Sequence, residues 1–139
     1  MEKILFICTG NACRSLMAEA IANHLGSEKL QAESAGSQPT GFAHPMALAS
    51  LKKHKIPASG LFSKSWDIFE NSPFDIVITV CDSAANEPCP VFHGPARRLH
   101  WGLPDPAGVT GSDTEIEAAF HATFDRLKNH IEKELLRVI

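Results

Sequence analysis

A short polar segment near the start of the chain combines a nucleophile with groups that bind anions. It reads Cys8, Thr9, Gly10, Asn11, Ala12, Cys13, Arg14 and Ser15. Gly10 and Asn11 tolerate strained backbone angles, so the segment can form a tight turn. Backbone N–H groups that converge before a helix, together with the planar donor fork of Arg14, suit a tetrahedral oxyanion. The same positive field favours the thiolate of Cys8, which is the nucleophilic form.

A carboxylic acid that could complete this chemistry is Asp105, in the segment Trp101-Gly102-Leu103-Pro104-Asp105-Pro106. Displacing oxide or hydroxide from a tetrahedral oxyanion requires a proton on the leaving oxygen, and an acid above the pocket can supply it. Taken alone, an Asp-Pro pair favours a simple turn. Together with the segment 8–15, it favours a general acid.

Four cysteines, Cys8, Cys13, Cys81 and Cys89, are spread along 139 residues. The apolar run at residues 4–8 is too short for a signal sequence or a membrane span, so we expect a cytoplasmic protein without membrane association. Thiols stay reduced in that compartment, which leaves catalysis, metal binding or buried packing. The spacings do not match the paired ligands typical of zinc, so no firm metal site is expected.

The elements that must position these residues alternate between strand and helix. The predicted elements, in chain order, are a strand over 3–8, a helix over 15–25 stopped by Gly26, a strand over 30–34, a helix over 45–55, a short helix over 65–71, a strand over 75–81, a short strand over 97–101, and a helix that starts at the capping box of Ser112 and Glu115. The alternation predicts one α/β domain over residues 1–139, a small doubly wound four-stranded parallel sheet with helices on both faces.

Ligands of such folds bind at the carboxyl ends of the strands. Cys8 closes the first predicted strand and Cys81 closes the third. If these strands are neighbours, their ends lie roughly 5 Å apart, about the Cα separation of a disulfide. Two of the four cysteines are therefore expected at the candidate site.

The segment 8–15 resembles the phosphate loop of the low-molecular-weight protein tyrosine phosphatase superfamily. The segment 101–106 resembles the late Asp-Pro loop of that superfamily, and the two motifs with the elements between them cover nearly the whole chain. The resemblance implies the phosphotyrosine phosphatase I-like fold.

The resemblance also implies roles for individual residues. Cys8 would be the nucleophile, Arg14 would bind the oxyanion, and Asp105 would be the general acid. Asn11 would hold the shape of the loop, and Ser15 would donate a hydrogen bond to the Cys8 thiolate.

The superfamily contains tyrosine phosphatases and arsenate reductases. The phosphatases place tyrosines just after the Asp-Pro pair, where they wall a slot for the substrate ring. Here Ala107 and Gly108 follow that pair, and the chain has no tyrosine at all. A flat aromatic substrate would lose its stacking partner, which favours a small inorganic anion.

The segment 79–90, together with His100-Trp101-Gly102, is similar to the arsenate reductases that use thiol relays. The resemblance implies that Cys8 attacks arsenate while Asp105 protonates the departing hydroxide. Cys81 would then attack the Cys8 sulfur, releasing arsenite and leaving a Cys8–Cys81 disulfide. Cys89 would form a Cys81–Cys89 disulfide, which thioredoxin or glutaredoxin would reduce.

One departure leaves the last step open. Seven residues separate Cys81 from Cys89, where the best-known thioredoxin-coupled pattern has six, and Pro88 and Pro90 bracket Cys89. Cys89 would otherwise be a bystander, with glutathione or glutaredoxin acting directly. The role of Cys13 has two alternatives as well. It is either a partner in a protective disulfide with Cys8 or a small packed residue.

The resemblance further suggests a potassium site. Asn11, Glu19 and Ser34 match positions that bind potassium in some of these reductases, and Asp67 could complete the set. A solvated or capping role is the alternative for each of these residues.

We therefore expect a monomeric arsenate reductase with no tightly bound cofactor and an external thiol reductant, either thioredoxin or glutathione with glutaredoxin. Phosphate and sulfate would compete with arsenate for the loop. The net charge of −3 gives no indication of nucleic-acid binding. The alternatives are a low-molecular-weight phosphatase acting on phosphotyrosine or another aryl phosphate, and a non-enzymatic oxyanion or redox sensor.

Overall fold

A computed structural model describes residues 1–80 and 96–136. Its strands and α-helices are, in chain order, β1 (Glu2–Cys8), α1 (Arg14–Leu25), β2 (Leu30–Gly36), α2 (Pro45–Lys53), β3 (Ile76–Thr79), β4 (Arg97–His100) and α3 (Asp113–His130). Short 3-10 turns occupy Trp66–Phe69 and Pro106–Gly108, and a π-helical segment, Ile131–Leu136, follows α3. Within the described residues, no helix is both long and apolar enough to cross a bilayer.

The four strands form one parallel sheet in the order β2-β1-β3-β4. This confirms the predicted four-stranded parallel architecture. The register pairs Cys8 with Gly36 on one side and Ile7 with Thr79 on the other. The strand order reverses direction at β1, so the carboxyl end of β1 is the switch point where such sheets bind ligands.

The core is built around β1, whose side chains are buried on both faces of the sheet. Residues Ile4 to Ile7 have no exposed surface and Cys8 is 3% exposed. Helix α1 packs on β1 and β2 and also contacts α3. The predicted capping box opens α3, with Ser112 Oγ accepting from Glu115 N–H at 3.2 Å.

Gly26 follows the last residue of α1, as predicted, and close packing also favours a glycine at this position. Its φ of −114° is not left-handed, so the backbone there would accept other residues. A Cβ at this position would lie 2.8 Å from Leu136 Cδ2 and 2.9 Å from Leu30 Cγ. The glycine is therefore required by close packing between the end of α1, the start of β2 and the C-terminal segment.

Candidate active site

The loop between β1 and α1 is held from outside through its carbonyl groups. Thr9 O, Gly10 O and Ala12 O accept hydrogen bonds of 2.9–3.0 Å from backbone N–H groups of the segment 38–44. In a trans peptide the N–H of the next residue points the opposite way from the carbonyl. These bonds therefore turn the N–H groups of Gly10, Asn11 and Cys13 away from the segment 38–44, the direction that an anion-binding nest would need.

Asn11 fixes the shape of the loop from its centre. It adopts a left-handed φ of 46°, which asparagine tolerates better than most residues, and it is fully buried. Its Oδ1 accepts from Lys64 N–H at 2.8 Å, and its Nδ2 donates to Ser15 Oγ at 2.7 Å. Because both ends of the amide have partners, its orientation is determined by hydrogen bonds.

Cys8 lies at the end of β1, and its sulfur is 2.8 Å from Ser15 Oγ. The Ser15 oxygen already accepts a hydrogen bond from Asn11. The hydroxyl proton of Ser15 remains available, and because a thiolate can only accept, Ser15 donates to the sulfur when Cys8 is ionised, which favours that form. The structure thus brings Cys8, Asn11 and Ser15 together, three of the residues that the sequence singled out.

Gly36 lets β2 approach the loop closely. A Cβ on Gly36 would lie 2.5 Å from Thr9 O and 2.8 Å from Cys8 O, too close for any side chain. Its N–H donates to Lys64 O at 2.9 Å, which connects β2 to the segment that holds Asn11. A larger residue at this position would displace the backbone at the nucleophile.

The N-terminus of α1 opens directly onto the loop. Its N-cap residue, Cys13, makes no side-chain capping bond, so the first amides of the helix remain for an anion. Burial, with smaller effects from the charges of Asp105 and Cys8, raises the pKa of the Cys13 thiol to about 12. Cys8 and Cys13 are both reduced, and Cys13 stays a neutral thiol at physiological pH.

Arg14 connects the loop to the Asp-Pro segment. Its Nη1 donates to Leu103 O at 2.8 Å, and its Nη2 lies 3.6 Å from Asp105 Oδ2. The Arg14 side chain is 13% exposed and that of Asp105 is 51% exposed. The guanidinium is thus largely buried between the Leu103 carbonyl and Asp105, while the Asp105 carboxylate is half exposed to solvent.

The two oxygens of Asp105 have different surroundings. Oδ1 accepts from Ala107 N–H at 3.0 Å and caps the 3-10 turn, so the Asp-Pro pair also forms the turn considered as its alternative. Oδ2 faces the guanidinium of Arg14. Ala107 and Gly108 are exposed, and a Cβ on Gly108 would meet nothing within 4 Å. No aromatic ring occupies the two positions after the Asp-Pro pair.

The residues suggested for potassium are only partly brought together. Ser34 Oγ donates to Glu19 Oε1 at 2.5 Å, and the buried ammonium of Lys64 lies 3.4 Å from the same oxygen. Asn11 Oδ1 accepts from Lys64 N–H, and Asp67 lies in the 3-10 turn Trp66–Phe69, where its N–H donates to Ser65 Oγ. The positive charge next to Glu19 is therefore the ammonium group of Lys64, a side chain of the protein itself.

Several contributors to the site were not predicted from the sequence. These are Gly36, Ser63, whose hydroxyl donates to Gly10 O at 3.1 Å, Lys64, and the carbonyl of Leu103. Gly36 could have been identified from the sequence, because it lies at the carboxyl end of the second predicted strand, the end of the sheet where Cys8 was expected. The others lie in loops and act largely through backbone groups, which leave no pattern in the sequence.

Cys81 and Cys89 lie outside the described residues. Val80 immediately precedes Cys81 in the chain. Its N–H donates at 2.9 Å to the carbonyl of Ile7, the residue before Cys8. The expected adjacency of the first and third strands is confirmed, although β3 ends at Thr79 rather than at residue 81.

Known proteins are similar to this chain in both sequence and fold. An arsenate reductase of Bacillus subtilis is 36% identical over 132 residues, covering 94% of this chain and 92% of that protein. A solved structure described as an arsenate reductase in the phosphate binding state superimposes with a TM-score of 0.80 at 28% identity, with each chain covered completely. A thioredoxin-dependent arsenate reductase of Corynebacterium glutamicum matches with a TM-score of 0.71 at 27% identity, covering 99% of this chain and 63% of that one.

The family assignment rests on a match along almost the entire sequence. The model of the low molecular weight phosphotyrosine protein phosphatase family matches residues 3–138, which include the loop, Arg14 and Asp105. The chain belongs to the low molecular weight phosphotyrosine protein phosphatase family.

Proposed function

We propose that this protein reduces arsenate to arsenite, with Cys8 as the nucleophile. The observation that carries the proposal is the Cys8 sulfur at the mouth of an anion-binding loop, 2.8 Å from a hydroxyl that can donate to its thiolate form. The small residues after the Asp-Pro pair favour an inorganic anion over an aryl ester. Relatives named arsenate reductase, 36% identical over nearly the full chain, support the same substrate.

The first step is displacement at arsenic. The loop amides and Arg14 hold the arsenate oxygens, and the Cys8 thiolate attacks the arsenic. An arsenic–oxygen bond breaks, and Asp105 Oδ2 gives its proton to the departing oxygen, which leaves as water. The product is a Cys8 thioester of arsenate, still held by the loop.

The second step supplies the two electrons. The Cys81 thiolate attacks the Cys8 sulfur, the sulfur–arsenic bond breaks, and its electron pair passes to arsenic, which leaves as arsenite. A Cys8–Cys81 disulfide remains. The position of Val80 beside Ile7 supports this role, because it starts the segment containing Cys81 at the edge of the sheet that carries Cys8.

The last step regenerates the thiols. Cys89 would attack the disulfide to give Cys81–Cys89, which an external dithiol reduces. The name of the C. glutamicum neighbour favours thioredoxin, and glutathione with glutaredoxin is the alternative if Cys89 takes no part. We propose that the protein works as a monomer in the cytoplasm, where such reductants are present.

The test is arsenate-dependent oxidation of NADPH, measured once with thioredoxin and its reductase and once with glutathione, glutaredoxin and glutathione reductase. The proposal expects arsenate-dependent oxidation in one of the two systems and its loss in the Cys8→Ser and Cys81→Ser variants. Absence of oxidation in both systems would overturn the proposal.

Hydrolysis of aryl phosphates is the second candidate, because the loop, Arg14 and Asp105 would accept phosphate in the same geometry. Hydrolysis of p-nitrophenyl phosphate by the Cys81→Ser variant separates the two activities. A phosphatase would keep its full activity without Cys81 and would show no turnover of arsenate. A sensor that only binds the anion would show turnover in neither assay.

A further inference from the structure

Three side chains with metal-binding atoms converge at the end of α2 that lies away from the loop. His54 is the C-cap of α2, and His121 and Asp125 lie one turn apart on α3. Their ligand atoms all lie within 4.8 Å of one another. The N–H of His44, at the other end of α2, donates to Ala12 O, so the length of the helix, about 13 Å, separates this cluster from the candidate active site.

The ring of His54 is oriented for metal binding. Its Nδ1 lies 2.9 Å from Ser50 O, a carbonyl that can only accept, so Nδ1 carries the proton. Its Nε2 is left with the lone pair that a metal requires. Stacking on Phe124, with ring centroids 3.8 Å apart and planes 13° apart, holds the ring in place.

His121 and Asp125 form the second half of the cluster. At a spacing of four residues they share one face of α3, with His121 Nε2 3.2 Å from Asp125 Oδ2. Bonds of about 2.0–2.1 Å in a tetrahedral zinc site place neighbouring ligand atoms about 3.3 Å apart, which this pair already matches. Both side chains are about half exposed, so His121, stacked 5.1 Å from His54, can turn to close the remaining distance.

We propose that His54, His121 and Asp125 bind a late first-row divalent cation of the zinc or nickel class. Two imidazoles and one carboxylate are the ligands that these ions prefer, and water would complete the coordination. A cleft of about 260 Å³ lined by His54 and His121 gives the ion access, and Glu117 and Lys53, whose charges offset each other, line the same cleft. The bound ion would link α2 to α3.

The proposal is tested by isothermal titration of the reduced protein with nickel chloride. We expect the His121→Ala and Asp125→Asn variants to lose one equivalent of binding, or to bind it at least about tenfold more weakly. His54→Phe keeps the stacking on Phe124 without a ligand nitrogen and should behave in the same way. The matched control is His24→Ala, which removes an exposed histidine of α1 and should bind like the wild type.

Two further readouts separate this site from the thiols, which also bind such ions. All variants keep the four cysteines, so a thiolate site would persist unchanged in each of them. Cobalt bound by imidazole and carboxylate lacks the near-ultraviolet charge-transfer band of a thiolate complex. At a hundredfold excess of nickel over its Kd, the wild-type melting temperature should rise by about 8 °C and that of His121→Ala should not.

Equal nickel affinity in the wild type and His121→Ala would overturn the proposal. A cobalt spectrum that shows only a thiolate complex would overturn it as well. His121 and Asp125 lie on the surface, so their variants decide the question even if His54→Phe fails to fold.

Discussion

The hydroxyl of Ser15 lies 2.8 Å from the Cys8 sulfur and accepts a hydrogen bond from the amide of Asn11, so it donates its own proton to the sulfur once Cys8 is ionised. The direction of that amide is set in turn by the backbone N–H of Lys64. A chain of three hydrogen bonds therefore runs from a distant loop to the nucleophile. The last of these bonds favours the thiolate form of Cys8.

Ser15→Ala tests this chain directly. Removing a hydrogen bond to a charged group costs about 1.5–3 kcal/mol, so turnover should fall about 10- to 100-fold. The rate at which iodoacetamide alkylates Cys8 at neutral pH should fall with it, because less thiolate is present. Ser27→Ala, in the exposed turn that follows α1, is the control. Unchanged alkylation in Ser15→Ala would contradict the role of the hydroxyl.

Asp105→Asn separates binding from proton transfer. The variant removes the proton donor while keeping the shape of the side chain, so turnover should fall about 10²- to 10⁴-fold. Inhibition by phosphate should persist or strengthen, because a negative charge 3.6 Å from Arg14 is removed. The exposed Asp113→Asn, at the start of α3, should change neither quantity. Full turnover in Asp105→Asn would rule out Asp105 as the acid.

Cys13 should behave as a packed thiol rather than as a second nucleophile. Burial raises its pKa to about 12, so almost none of it is ionised at pH 8. Mass spectrometry after brief treatment with iodoacetamide at pH 8 should find Cys8 modified and Cys13 unmodified. Cys13→Ala should keep most of the turnover. Rapid alkylation of Cys13 in the folded protein would contradict this assignment.

Glu19 should make stability depend on pH. Burial raises its pKa above the ordinary value of about 4.5, against the opposing effects of Ser34 and Lys64. The folded state therefore holds this proton more tightly than the unfolded chain does. The resulting stabilisation is fully present below about pH 4.5 and is lost as the pH rises through the folded-state pKa.

Urea unfolding of the wild type and Glu19→Gln between pH 4.5 and pH 8 measures this effect. The free energy of unfolding of the wild type should fall relative to that of Glu19→Gln as the pH rises. Glu28→Gln, on the surface, is the matched control. A difference between Glu19→Gln and the wild type that stays constant across this range would show that Glu19 is not perturbed.

The sequence predicted the parts of the site that are contiguous. The residues from Cys8 to Ser15 carry the nucleophile, the left-handed turn and the start of a helix in one segment, so local rules were enough. The parallel sheet followed in the same way from the alternation of strands and helices. The capping box at Ser112 and Glu115 was equally local.

The contacts between distant segments could not be predicted. Lys64 reaches Asn11 through a backbone N–H, and Leu103 holds Arg14 through a carbonyl, so neither contact depends on the identity of the side chain. Gly26 follows the last residue of α1 as predicted, but its close packing against Leu136, 110 positions further along the chain, gives no signal in the local sequence. Such requirements arise only when the folded segments meet.

The most direct test of the central claim is a single turnover of the fully reduced protein with arsenate and no external reductant. We expect one arsenite released per protein chain and a new disulfide, Cys8–Cys81 or Cys81–Cys89, in the peptide map by mass spectrometry. The Cys81→Ser variant should release no arsenite. Absence of arsenite from the wild type, with all four cysteines still reduced, would contradict the claim that this site reduces arsenate.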